Sequence, residues 1–288
     1  MLNTAQHQFG SDPYRESKES RSDPSIHTVN KEEIAKFAAM SEEWWAPHGP
    51  FKMLHLMNPP RVRFIRNRLE ASGAIAGAIA KDDADPTRVA SRKRFPLAGL
   101  SIVDIGCGGG LLSESLARLG AQVTGLDASI ENIQMARIHA MKDPLLNGGG
   151  PGTLEYRHQT AEEELLEQGR RFDVVCSMEV IEHVDNPAGF LKVLGELLKH
   201  LLRMVPVGTH HWSKFITPDE LQAGVQDLAK CQVLCIQDIA FNPLSGQWEL
   251  SKGLIGQGSS AERGSVLSSI GASIAGPVNY LLAAKKVA

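Results

Sequence analysis

From Leu100 onward, short apolar runs alternate with amphipathic stretches. "LSIVDI", "AQVTGLD", "TLEYRH" and "FDVVCSM" have the length and β-branched content of buried strands, whereas "GLLSESLARL", "SIENIQMARIHA" and "AEEELLEQ" repeat apolar positions at helical spacing. Strands that alternate with helices predict a parallel sheet wound by right-handed crossovers, the doubly wound α/β class. Phe190, Leu191, Leu194, Leu198 and Leu201 hold helical spacing behind Pro187 and a capping Asp185 or Asn186, which predicts one amphipathic helix over 187–204. Thr217, Pro218 and Glu220 open a further helix, and "KCQVLCIQDIAF" and "PVNYLLAAKK" read as two late strands.

Ahead of this alternation, Asn30 with Glu33 three residues on makes a capping box that opens a helix through about Trp45, and "PPRVRFIRNRLEAS" reads as a second helix with a basic face. Residues 1–29 are polar and read as a disordered tail. They contain acids, unlike a mitochondrial presequence. The ordered domain is expected over 30–288, with surface insertions at 73–96 and 252–276 where periodicity lapses into Gly, Ala, Ser and charge. The chain has 288 residues, a net charge of -3 and 42% hydrophobic residues, which suits one globular domain and offers no global reason to expect nucleic acid. No apolar run reaches the roughly 18 residues that span a bilayer. Cys107, Cys176, Cys231 and Cys235 sit mostly in strand-like contexts and read as buried free thiols.

The stretch "DIGCGGG" stands where the first strand meets the first helix, the edge at which this fold gathers ligands. A dinucleotide fingerprint from Gly106 would need glycine at Leu111, and no Lys-Ser or Lys-Thr follows to make a phosphate loop. Gly106, Gly108 and Gly110 remain as G-x-G-x-G. Asp127, ending the second strand 21 residues after Gly106, is placed to accept both hydroxyls of a ribose. "SMEVIEHV" follows the fourth strand. As a helix it would put Glu179, Glu182 and His183 on one face, either as a divalent-metal site or as an exposed polar first turn; spacing alone leaves both open.

The D-x-G-x-G-x-G run with its strand-end Asp resembles the class I S-adenosylmethionine-dependent methyltransferases, which implies their Rossmann-like sheet. Longer stretches, among them "NKEEIAKFAAMSEEWW", "FKMLHLMNPPRVRFI", "CSMEVIEHV", "LLRMVPVGTHHWSKFITPDEL" and "FNPLSG", resemble the ubiquinone-biosynthesis O-methyltransferases in order. That resemblance implies S-adenosyl-L-methionine held by Arg61, Gly106, Asp127 and Met178. It also implies Mg2+ held by Glu179, Glu182 and His183, with Glu179 and His183 as the catalytic pair. Magnesium prefers oxygen ligands, so His183 has a second possible role as general base. The implied substrates are 3,4-dihydroxy-5-polyprenylbenzoate and demethylubiquinol. The implied setting is a membrane surface, with other ubiquinone-synthesis proteins as partners: the matrix side of the mitochondrial inner membrane in a eukaryote, the cytoplasm in a bacterium. One departure stands out. The family's Pro-Gly-Gly turn and fifth strand are missing between "FLKVLGELLK" and "LRMVP", which predicts a sheet without its fifth strand and, as the alternative function, a cofactor-binding subunit without turnover.

Overall fold

The computed structural model describes residues 27–75, 94–168, 171–198, 202–207, 218–242, 245–250, 254–255 and 279–286. The apolar runs form β1 (Ser101–Ile105), β2 (Gln122–Asp127), β3 (Thr153–His158) and β4 (Val174–Ser177), joined by α3 (Leu111–Arg118), α4 (Ile130–Ala140) and α5 (Ala161–Gln168). Two helices precede them, α1 (Lys31–Ala38) and α2 (Lys52–Ala71). After them come α6 (Pro187–Leu197), β5 (Leu202–Val207), α7 (Pro218–Asp227), β6 (Cys231–Asn242), β7 (Gln247–Leu250), β8 (Leu254–Ile255) and β9 (Asn279–Lys286). The nine strands make one sheet in the order β3-β2-β1-β4-β5-β9-β6-β7, with β8 on β6. β3 through β5 are parallel; β9 enters antiparallel between β5 and β6.

Both faces are covered, as a parallel sheet requires. Ile102, Val174 and Cys176 point to one core with Phe64, Ile65 and Leu69 of α2 and Leu116 of α3. Val103 and Val175 point the other way, against Phe190 and Leu194 of α6 and Leu221 of α7. The same alternation runs along β9, where Leu281 and Ala283 join the first core and Leu282 and Ala284 the second. All four cysteines are buried and outside any disulfide, and burial pushes the Cys107 and Cys176 thiols up.

Five expectations change. The fifth strand is present: Arg203 and Met204 pair in parallel with Val175 and Cys176 of β4, and β5 meets β9 on its other side. The helix expected over 187–204 therefore stops at Leu197. Leu198 is extended (φ -84°, ψ 128°) and bridges Phe172, while Lys286 on β9 donates to the Gly195 and Leu198 carbonyls at 3.0 and 3.3 Å. The reason is backbone satisfaction. An empty place between β4 and β9 would strand two rows of amides, and the apolar "LRMVP" fills it after a connection of a few residues.

Thr28 and Val29, expected in the tail, pack on the domain instead: Thr28 is buried, its N–H donates to Glu162 at 3.0 Å and Val29 bridges Val184, while 1–26 lie outside the described residues. α1 is shorter than expected. Asn30 caps Glu32 and Glu33 N–H at 3.0 and 2.9 Å, but the helix ends at Ala38 and a short 3-10 turn, Ser41–Glu43, follows. α2 starts before Pro59 and Pro60 and takes both inside it. Most of 73–96 and of 252–276, and all of "THHW", lie outside the described residues.

Candidate active site

A cleft of about 660 Å³ opens at the carboxyl ends of β1, β2 and β4, where the strand order reverses. The Gly106 and Cys107 amides both donate to Leu126 O, at 2.8 and 2.9 Å, which ties the glycine turn to the end of β2. The Gly108 amide, at a left-handed φ of 54°, donates to Asp127 Oδ2 at 2.8 Å. Asp127 Oδ1 accepts from the Ser129 amide at 2.8 Å and from Asn132 Nδ2 at 3.2 Å. Asp127 is thus both a carboxylate on the cleft wall and the clasp of the loop. Burial raises its pKa above the ordinary range despite those donors.

Asp104 is the first letter of D-x-G-x-G-x-G, and its role went unread in the sequence. It is buried within β1, accepts from Ser113 Oγ at 2.6 Å and lines the cleft floor. Burial pushes its pKa up to about 7, with Ser113 and the nearby Arg61 charge opposing. Trp44 also escaped sequence reasoning. Its ring stacks on Phe51 at 3.8 Å, donates from Nε1 to Asn132 Oδ1 at 2.9 Å, and lies on the glycine turn so closely that a Cβ at Gly109 would come 2.5 Å from its Cγ. Nothing local in the sequence signals that contact. The glycines there are needed by a tryptophan as well as by a ligand.

Beyond β4 the chain is not a helix through Glu179. That residue has a left-handed φ of 57°, and only Ile181–His183 form a short 3-10 turn, so the three expected metal ligands do not share a helical face. Glu179 turns to Arg61, whose Nη2 donates to its Oε1 at 2.6 Å. The Arg61 side chain is only 5% exposed, and its Nε is buried without a partner. His183 Nδ1 meets Glu33 Oε2 of α1 at 3.0 Å, and the Phe37 ring stands edge-on to its imidazole at 5.1 Å. Glu182 is buried, its Oε1 3.9 Å from His183 Nε2. Glu33, expected to complete a capping box, reaches the histidine with its Oε2. Met178 is buried and lines the cleft with Arg61, Gly106 and Asp127, so the four expected cofactor residues share one cavity.

A methyltransferase-domain family model matches residues 66–225. A mitochondrial ubiquinone biosynthesis O-methyltransferase of Arabidopsis thaliana is 42% identical over 260 residues, covering 82% of this chain and 74% of that protein. The ubiquinone biosynthesis O-methyltransferase of Ruegeria pomeroyi is 42% identical over 255 residues, covering 78% of this chain and 92% of the relative. This chain belongs to the ubiquinone biosynthesis O-methyltransferase family. The 260 aligned positions exceed the 82% of 288 residues that they cover here, so the plant relative carries residues that this methyltransferase lacks.

The donor set of this methyltransferase fits its nucleoside cofactor. A strand-end carboxylate beside a glycine turn suits a ribose, and a buried guanidinium with an unsatisfied Nε suits a carboxylate. Its fit to magnesium is poor. Glu179 is committed to Arg61 and His183 to Glu33, and no group of three or more acid, histidine or cysteine side chains able to hold a metal occurs among the described residues.

Proposed function

We propose that the chain transfers the methyl group of S-adenosyl-L-methionine to catechol hydroxyls of 3,4-dihydroxy-5-polyprenylbenzoate and demethylubiquinol in ubiquinone biosynthesis. The observation that carries this reading is the shared cleft: the Gly106–Asp127 clasp and Arg61 stand in one cavity with Glu179 and His183, in a chain of this family. When bound, the cofactor supplies a methyl group on a sulfonium centre. Asp127 accepts from the ribose, Arg61 donates to the methionine carboxylate and Met178 packs on the adenosyl group. The carboxylates of Glu33, Asp127, Glu162 and Glu179 outnumber the Lys36 and Arg61 charges along the cleft, which favours a cationic ligand.

His183 takes the phenolic proton of the acceptor. An imidazole titrates near neutrality, and the Glu33 contact at 3.0 Å fixes its ring. The acceptor oxygen then bonds to the methyl carbon as the carbon–sulfur bond breaks, its electron pair passing to sulfur. Alignment in the cleft can contribute about 7–11 kcal/mol to such a transfer. Glu179, in its left-handed turn, holds Arg61 until a ligand carboxylate competes for it. No step is assigned to Mg2+, because two of the three residues expected to hold it are engaged elsewhere, Glu179 with Arg61 and His183 with Glu33.

The sheet is continuous through β5, which removes the ground for a subunit that binds without turnover. A mitochondrial location is supported by the name of the Arabidopsis relative, and the matrix side of the inner membrane is the setting proposed within it. The reading has a lipid-borne acceptor and any companion proteins of the pathway met at the membrane surface; no helix of the described residues is long and apolar enough to cross a membrane. The deciding experiment is transfer of a labelled methyl group to a catechol by purified protein, with and without chelator. Transfer that survives chelation is expected. Absence of transfer from protein that still binds S-adenosyl-L-methionine would refute the reading.

A further inference from the structure

We infer that the apolar side of α1, with the start of α2, is the binding site for the isoprenoid chain of the acceptor. The inference rests on the methyl-transfer reading and adds to it the place where the tail lies. An amphipathic helix normally buries its apolar stripe in the core. α1 does not: none of its residues is buried, although Asn30 caps it well and Ile34 and Phe37 fall on one face. Ile34, Phe37 and, one turn beyond, Met40 are half-buried and line the cleft. Their apolar surface faces the lumen where a core helix would face protein.

The wall has a direction. Its polar ties gather at the reaction end, where Glu33 meets His183 at 3.0 Å, Asn30 Nδ2 donates to Asp185 at 2.7 Å and Val29 bridges Val184. Phe37 stands against the His183 ring. Met40 follows Phe37 by one turn, and Met53 and Leu54 of α2 line the same cavity, with Met53 42% exposed. A catechol ring placed beside His183 has its tail substituent facing a wall of methionine, isoleucine and phenylalanine. Such side chains suit a flexible branched hydrocarbon, methionine especially, because it adapts its shape. A nucleoside would leave this wall wet, since its ribose partner, Asp127, is tied to the glycine turn.

The test compares a farnesylated catechol with catechol itself in wild type, Ile34→Asp and Met53→Glu. Farnesol binding to each protein is followed in parallel by tryptophan fluorescence, Trp44 lining the cleft. Wild type is expected to prefer the farnesylated acceptor in kcat/KM, and each variant to lower that preference by about tenfold, the loss of one or two buried methylene contacts per charge introduced. A preference unchanged in both variants, or an equal fall on both acceptors, overturns the tail site while leaving methyl transfer in place. If neither acceptor is methylated, the methyl-transfer reading fails instead. In that event farnesol bound by wild type and lost in both variants still supports the site, and farnesol bound equally by all three overturns it.

Discussion

The two halves of the cleft are built over different spans of chain. On the cofactor side, Gly108 and Asp127 are 19 residues apart, and Ser113 reaches Asp104 across nine. Where the N-terminal helices close the cleft, Arg61 meets Glu179 across 118 residues and Glu33 meets His183 across 150. The first half is a strand, a turn and a helix whose hydrogen bonds close within one βαβ unit. The second is assembled when α1 and α2 fold back over the ends of β1 and β4. Local parts hold geometry whether or not the remote segments are docked, so damage to each half should show in a different measurement.

The largest effect is expected at Asp127→Ala, which removes the proposed ribose acceptor and the clasp of the glycine turn together. Affinity for S-adenosyl-L-methionine should fall by at least about 100-fold in calorimetry, since several charge-assisted hydrogen bonds go at once. Asp104 tests the same half through stability. Its folded pKa of about 7 lies above the ordinary carboxylate value, so the unfolded chain releases the proton first. Its contribution is therefore fully present below about pH 4 and is lost as pH rises towards 7. Relative to Asp104→Asn, wild type should lose roughly 1–3 kcal/mol between pH 5 and 7 in urea melts.

Glu33→Gln probes the remote half. With the carboxylate gone from beside His183, kcat should fall by about tenfold, as for other groups that orient a catalytic histidine, while cofactor affinity stays level. A matching loss of cofactor affinity would show that the halves are not separable. The smallest effect should be at Glu179→Gln. With its carboxylate neutralised, Arg61 is freer for the ligand carboxylate, and cofactor binding should tighten by about threefold while turnover drops. Weaker binding there would mean that the ion pair positions Arg61 instead of competing for it.

The same difference explains what could be read in advance. The strand-helix alternation, the glycine turn, Asp127 and the caps of α1 and α6 were legible, because each is set by neighbours a few residues away. Asp104 was visible as a letter of the motif, but its protonation depends on burial that only packing supplies. "SMEVIEHV" misled: its i, i+3, i+4 spacing suits a helix, yet Glu179 takes φ 57° to reach Arg61, and no pattern within those eight residues announces a partner on α2. The 187–204 stretch misled for a related reason. Leucines at helical spacing continue past Leu197, but a vacant place in the sheet beside β4 outweighs helix periodicity.

By itself, then, the sequence determined the doubly wound class, the ligand edge and the acid that closes the glycine turn, because hydrogen bonds and periodicities of short range dictate them. Only the tertiary structure decided that "LRMVP" is the fifth strand, that Glu33 belongs to His183 and Glu179 to Arg61, and that α1 turns an apolar wall to the cleft. Those outcomes depend on which unsatisfied amide, charge or hydrocarbon surface a distant segment brings within a few ångströms, and chain order does not encode that distance.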